Sequence, residues 1–246
     1  MQLTRHIHLV GSGGEGFDLS HPMDCHVYLI DGGSELALID AGIGLDADMI
    51  IANITAMGFN PTDIKKVLLT HGHADHAGGS APLQDRTGAQ IWAPRNAVSW
   101  IETGDEDAIS LTVARKSGNY PVDYRFRPCG NVCPFDDGDQ IQVGNISLIP
   151  IDTPGHAAVH FSFLIQGDDR PGLFCGDLLF HGGRIHLLNT IDCSITQLSS
   201  SIHRLRRMDV EGLYPGHGLI SVRRGQSHID AAAHILDSQK IPSPFH

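Results

Sequence analysis

The chain has 246 residues, 41% of them hydrophobic and 18% charged, with a formal net charge of −11. That is the composition of a folded globular protein able to bury a sizeable core, and it excludes a disordered segment. The acid excess argues against a nucleic-acid partner, and the late arginines Arg204, Arg206, Arg207, Arg223 and Arg224 read as a solvated helix face.

Met1 to His6 lacks the apolar core of an export signal, and no stretch approaches the ~20 apolar residues of a membrane span. No membrane partner is therefore expected. The five scattered cysteines, an odd number, are expected to be reduced thiols in the cytoplasm, with Cys129 and Cys133 in loop or core positions. Residues 27–30 and 36–40 read as strands joined by Asp31-Gly32-Gly33-Ser34, a hairpin. Ile50, Ile51, Ile54 and Met57 recur at helical spacing, and Gly58 closes that helix. Lys66-Val67-Leu68-Leu69-Thr70 is a buried type of strand that runs straight into His71-Gly72-His73-Ala74-Asp75-His76. A strand over 90–93 follows. From Pro94 to about Gly118 the pattern is helical, with a solvated acidic stretch from Glu102 to Asp107, and 119–134 is irregular. The whole 94–134 segment is expected to form a lid or pocket wall that selects the substrate, with Trp100, Tyr120, Tyr124 and Phe126 as its aromatic surface.

Residues 141–143 and 146–149 form a second hairpin across Gly144-Asn145, and 161–165 alternates as a half-buried strand. Leu173-Phe174-Cys175 is a short strand ending at Gly176-Asp177. Ile195, Leu198, Ile202 and Leu205 mark an amphipathic helix with Ser194 or Asp192 as its N-cap. Gly212-Leu213-Tyr214 is a last strand ending at Pro215-Gly216-His217, and a helix over 227–238 precedes a proline-containing tail, 241–246, expected to be loosely ordered. Two strand-rich blocks with accompanying helices, and no linker between them, imply one layered α/β domain over 1–246.

Sixteen histidines stand out, and position decides which of them matter. Three imidazoles and a carboxylate within six residues, on a loop at the end of an apolar strand, are the donors that Zn²⁺ and similar ions take. One loop cannot complete such a site. Thr153-Pro154-Gly155-His156, Phe174-Cys175-Gly176-Asp177 and Tyr214-Pro215-Gly216-His217-Gly218 each place one further donor at a strand end, beside a glycine that permits a tight turn.

These motifs, in this order, resemble those of the metallo-β-lactamase superfamily over a span from about Tyr28 to Gly218. The resemblance implies a four-layered αββα sandwich with the metals at one edge, between the two sheets. It implies that His71, His73 and His156 hold one ion, that Asp75, His76 and His217 hold another, and that Asp177 bridges them. Two divalent ions follow, zinc first, with iron or manganese as alternatives. A hydroxide shared by them would attack the carbonyl of a small-molecule ester, lactone or thioester, and Asp75 would be the catalytic group that orients it and takes its proton.

All seven positions match the glyoxalase II-like and lactonase-like pattern, whereas classical β-lactamases of the superfamily use fewer histidines or a cysteine. Glyoxalase II enzymes carry a helical glutathione-binding domain after the last metal histidine. Only a short tail follows His217, which points away from a glutathione thioester. Many lactonases place a tyrosine three residues after the bridging aspartate, where this sequence has Phe180. His160, Phe180 and His181 are expected to line or support the pocket, with His186 beside them and His21 and His26 at its rim. His6, His8, His203, His228, His234 and His246 read as surface or packing residues. The alternatives are a mononuclear iron persulfide dioxygenase, which shares the fold with fewer ligands, and a non-catalytic metal-binding module. A homo-oligomer is compatible with either reading.

Overall fold

The computed structural model describes residues 1–245; His246 lies outside the described residues. Six strands form a first sheet: β1 (Ile7–Gly11), β2 (Val27–Asp31), β3 (Leu36–Ile39), β4 (Ile64–Leu68), β5 (Gln90–Pro94) and β6 (Cys133–Phe135), side by side in chain order. Five form a second: β7 (Ile141–Val143), β8 (Ile146–Asp152), β9 (Phe161–Gln166), β10 (Gly172–Gly176) and β11 (Gly212–Pro215), again neighbours in chain order. β1, β2 and β3 pair antiparallel, and β3 to β6 pair parallel. In the second sheet β7 to β10 are antiparallel and β11 is parallel to β10.

The period of two along the strands divides their side chains between layers. Tyr28 and Ile30 of β2, Ala37 and Ile39 of β3, Phe161, Phe163 and Ile165 of β9, and Phe174 of β10 share one buried cluster, so the two sheets face each other across it. The alternate residues Val27, Leu29, Leu36 and Leu38 pack outward beneath α1 (Ala47–Ala56) and α3 (Ser80–Thr87), which follows the single turn α2 (Ala74–Ala77). Leu173, Cys175 and Leu213 point the other way, against α6 (Ile195–Leu205) and α7 (Gly225–Asp237). The order is helix, sheet, sheet, helix. Between β5 and β6 lie α4 (Val98–Thr103) and α5 (Leu111–Lys116), inside the 94–134 segment.

Three elements depart from the sequence reading, the first being β6, which begins inside the stretch read as irregular and pairs in parallel with β5. β1 is interrupted in pattern by His8 and ends at Gly11, yet it is buried along its length and pairs with β2. α3 is polar and holds Pro82 at its third position, inside the first turn, where a missing N–H costs nothing. The tail is also corrected. Phe245 stacks on Phe180 with ring centroids 4.2 Å apart, and its N–H donates to the Ile185 carbonyl at 2.9 Å, so an aromatic anchor holds the segment that its prolines suggested was loose. Ser194 does cap α6, its hydroxyl accepting from the Gln197 N–H at 3.4 Å. All five cysteines are free. No helix among the described residues is long and apolar enough to cross a membrane.

Candidate metal centre

Four segments that follow strands, at one edge of the two sheets, build the site. The chain leaves β4 through Leu69 and Thr70, and His71, His73, Asp75 and His76 follow within the turn that opens α2. His156 follows β8, Asp177 follows β10, and His217 follows β11. The structure brings all seven together, in two groups whose donor atoms lie within 4.8 Å of one another: His71, His73 and His156 in one, Asp75, His76, Asp177 and His217 in the other. Asp177 stands between them. Its Oδ2 is 3.5 Å from His217 Nε2 and 3.7 Å from His156 Nε2, while its Oδ1 is 3.3 Å from His76 Nε2.

Four of the five imidazoles have a partner on the outer side of the ring. Asp40 accepts from His76 Nδ1 at 2.8 Å and, from the other side, from the Thr70 N–H and hydroxyl at 2.7 and 2.9 Å. His71 Nδ1 lies 3.0 Å from the Thr70 hydroxyl, and His156 Nδ1 lies 3.0 Å from the His186 carbonyl. His73 Nε2 lies 3.4 Å from Asp192 Oδ2, which leaves Nδ1 facing inward, 3.0 Å from His156 Nε2. Fixing one ring nitrogen in this way sets which nitrogen is free to bind.

The inner atoms themselves are poorly served. His71 Nε2, His76 Nε2 and Asp177 Oδ1 are buried and make no hydrogen bond. Buried polar atoms without partners are costly, and three of them turned into the two ligand groups fit cations better than any arrangement of protons. Gly216 underlines how closely the ligands approach: a Cβ there would lie 2.2 Å from Asp177 Oδ1 and 2.6 Å from His76 Cε1.

Electrostatics sort the imidazoles. Burial, reinforced by the neighbouring histidines, holds His71 well below the usual range, and burial does the same to His156, so both are neutral and ready to ligate. Burial alone would depress His76, but Cys25, Asp177, Asp75 and Asp40 outweigh it and hold the imidazole well above its ordinary value. Burial would raise Asp75 and Asp177; the surrounding histidines reverse this and keep both carboxylates ionised. A bound cation replaces those histidine protons as the source of positive charge.

The three expected pocket residues are corrected in part. His160 is fully buried and does not line the cavity; it lies beneath the ligands, with Nδ1 3.0 Å from the Thr153 hydroxyl and Nε2 accepting from the Asp177 N–H at 3.3 Å. Phe180 is turned away into a separate apolar crevice under Phe245, because its stacking partner comes from the tail. His181 is exposed and stacks on His228 at 4.4 Å, on the same outer side. His186 does line the cavity, and His26 is buried beneath it, its Nε2 2.9 Å from the Gly218 carbonyl.

The 94–134 segment also divides. Tyr124 and Phe126 are core residues, and the Tyr124 hydroxyl donates to the Ile43 carbonyl at 2.9 Å. Trp100 packs against the same core. Tyr120 alone of the four aromatics lines the cavity, and its hydroxyl donates to Asp75 Oδ1 at 2.7 Å. Sequence reasoning did not assign Asp40, which had a signal: Ile39-Asp40-Ala41-Gly42 ends an apolar strand as Cys175-Gly176-Asp177 does. The contacts of Asp192 and Tyr120 had none, since each joins loops far apart in the chain.

A model of the family described as "Metallo-beta-lactamase superfamily" matches residues 22–217. The chain belongs to the metallo-β-lactamase superfamily. Among its curated relatives within that superfamily are a beta-lactamase-like protein 2 homolog of Caenorhabditis elegans, 26% identical over 78% of this chain and 55% of that protein, and a hydroxyacylglutathione hydrolase of Synechococcus, 31% identical over 70% of this chain and 56% of that one. The chain thus spans about half the length of the curated relatives it matches. Two metallo-β-lactamases share its fold: one from Cronobacter sakazakii, with a TM-score of 0.74 at 21% identity over 97% and 93% of the two chains, and a subclass B3 enzyme of Bradyrhizobium japonicum, with 0.71 at 23% identity over 97% and 92%.

Proposed function

We propose that this superfamily member is a metal-dependent hydrolase with a dinuclear centre, zinc being the first candidate, that cleaves an ester, lactone or thioester of a small molecule. The observation that carries the reading is the pair of converging ligand groups at the floor of one open cavity of about 570 Å³. Imidazole and carboxylate donors suit zinc, with iron or manganese next. Ions held there would supply a bound water that is acidic enough to act at neutral pH and positive charge for the oxygen that turns negative.

The rest falls to the chain. Asp75 presents Oδ2 to the site, 3.1 Å from His217 Nε2, while Tyr120 holds Oδ1 from behind. Asp75 is thereby the carboxylate placed to orient a water and accept its proton at Oδ2. His71 and His156, neutral through burial, keep their inner nitrogens free for a cation rather than a proton. No serine or cysteine nucleophile is needed, and Cys25, the buried thiol beside His76, is pushed up to about 12 by burial and is no nucleophile at neutral pH. Five free cysteines support a reducing, cytoplasmic setting.

Metal analysis with a hydrolysis screen tests the reading. About two divalent ions per chain and turnover of at least one ester, lactone or thioester are expected. One iron per chain with oxygen uptake, never exceeding one ion after zinc is added back, would replace it with the mononuclear dioxygenase. The completeness of the Asp75, His76, Asp177 and His217 group speaks against that second reading.

A further inference from the structure

The walls of the cavity say what kind of molecule the floor acts on. The 94–134 segment contributes Ile109, Leu111, Val113 and Ala114 to the walls, and Leu188 and Met23 add further apolar surface. The polar wall groups are amides and hydroxyls, among them Ser110, Asn189 and Thr190, and one imidazole outside the seven ligands, His186, whose Nδ1 lies 3.8 Å from Asp177 Oδ2 on the floor. Among the described residues, no lysine or arginine lines the cavity, and the charged side chains that do, apart from those in the ligand groups, are the acids Glu15 and Asp24.

The cations in or beside α5 do not reach the cavity wall. Arg115 of α5 donates to Glu106 at 2.7 Å and to the Tyr124 carbonyl at 2.8 Å, inside the lid. Arg125 is bonded to the Val122 and Tyr124 carbonyls at 2.9 and 2.7 Å. Lys116 is exposed at the end of α5 and is not part of the wall. The chain as a whole carries −11, which adds a repulsive field at long range.

A carboxylate or phosphate held away from the floor would have to leave water for a wall without lysine or arginine, whose one imidazole, His186, sits by Asp177 at the floor, and that is unfavourable. We propose that the substrate is an uncharged carboxylic ester or lactone whose apolar arm packs on the apolar lining of α5 and Leu188, and that the cavity selects against anionic acyl groups. This rests on the hydrolase reading above and narrows it. In the reaction, water adds its hydroxyl to the acyl carbon, the C–O bond to the leaving oxygen breaks, and the remaining proton ends on that oxygen or in solvent. The acid product ionises in a cavity whose walls offer a carboxylate no lysine or arginine, so its release is favoured.

The test uses the zinc-loaded protein and matched six-carbon acyl groups. p-Nitrophenyl hexanoate is compared with mono-p-nitrophenyl adipate, which differs by a terminal carboxylate, and S-lactoylglutathione is assayed beside them. The expected kcat/KM favours the neutral ester by on the order of a hundredfold, with a gap that narrows as salt is raised. Equal or faster turnover of the adipate or of S-lactoylglutathione would overturn the proposal. Binding of the hydrolysis-resistant pair, N-phenylhexanamide and adipic acid monoanilide, is measured by calorimetry, so the charge preference is decided even if no ester is cleaved, an outcome that would sink the hydrolase reading instead. The neutral amide is expected to bind at least ten times more tightly, and equal binding or preference for the acid would overturn the inference. Val113→Arg places a guanidinium on the wall at a position that is already 47% exposed and so should fold. It should raise the ratio of adipate to hexanoate turnover about tenfold, and an unchanged ratio would show that the wall does not set the preference.

Discussion

The floor and the walls of the cavity are built on opposite principles. The floor hangs from the ends of β4, β8, β10 and β11; six of its seven donor side chains are buried, and the outer ring nitrogens of His71, His76 and His156 are fixed by groups that are themselves buried or in the backbone. The walls are loops and short helices, joined to the floor by few polar contacts. Tyr120 reaches Asp75, and Asp192 accepts from the Ser110 hydroxyl at 2.8 Å while facing His73. A rigid floor fixes chemistry to within fractions of an ångström. Walls that touch it at only a few polar contacts can change elsewhere while the ligand groups stay in place, which is how one fold serves many substrates.

The contrast is broken most severely at Asp177. Asp177→Asn keeps the shape and removes a negative charge that faces both ligand groups, so metal content and turnover should fall together, by more than the roughly 10–100-fold that loss of an outer partner costs. His181→Ala, on the outer side, should leave metals bound and turnover changed only modestly. Retention of both ions by Asp177→Asn, measured by metal analysis after dialysis, would mean that this carboxylate does not bridge.

A sharper test lies where wall meets floor. Tyr120→Phe removes only the hydroxyl that holds Asp75 Oδ1. The affinity for the second zinc equivalent should fall about tenfold, with the first equivalent unchanged, as read by titration against a chromogenic chelator. Equal loss at both equivalents would make Tyr120 a general support of the fold. No loss at either would make it wall alone.

The smallest effect belongs to a residue outside both regions. The hydrogen bond to Asp237, helped by the Ser199 carbonyl, raises His203 above its ordinary value on an exposed helix face. A raised value in the folded state means that the contribution is complete below the unfolded value of ~6.5 and is lost as pH rises through the folded one. His203→Gln should therefore lower stability by a few tenths of a kcal/mol at pH 5.5 and by less at pH 8.5, since exposed pairs are weak. A Tm difference that grows with pH would reverse the assignment.

How much of this was legible depended on distance along the chain. The strands that carry His71, His156, Asp177 and His217 announce themselves by apolar runs that stop at a donor and a glycine. The same runs imply a layered α/β domain, and the αββα order comes from the family resemblance. β1 and α3 were missed because tertiary burial overrode weak local patterns: a histidine within a strand, and a proline within a polar helix. The roles of Tyr120, Asp192 and Phe245 could not be read. Each rests on a contact between segments with no shared motif, and Phe245 in particular drew Phe180 away from the pocket where its position after Asp177 would have put it.

Four of the converging side chains follow β4 in the first sheet, and three follow strands of the second. Neither half of the chain alone can assemble the centre, so part of the free energy of binding cations is free energy of holding the two sheets face to face. Ions held there would act as a clasp across the sandwich. Stripping them should loosen the seam between the sheets before it melts either one, and on refolding the floor can close only after contacts between His71 and His217, remote in sequence, have formed, which places the centre among the last parts of the molecule to be completed.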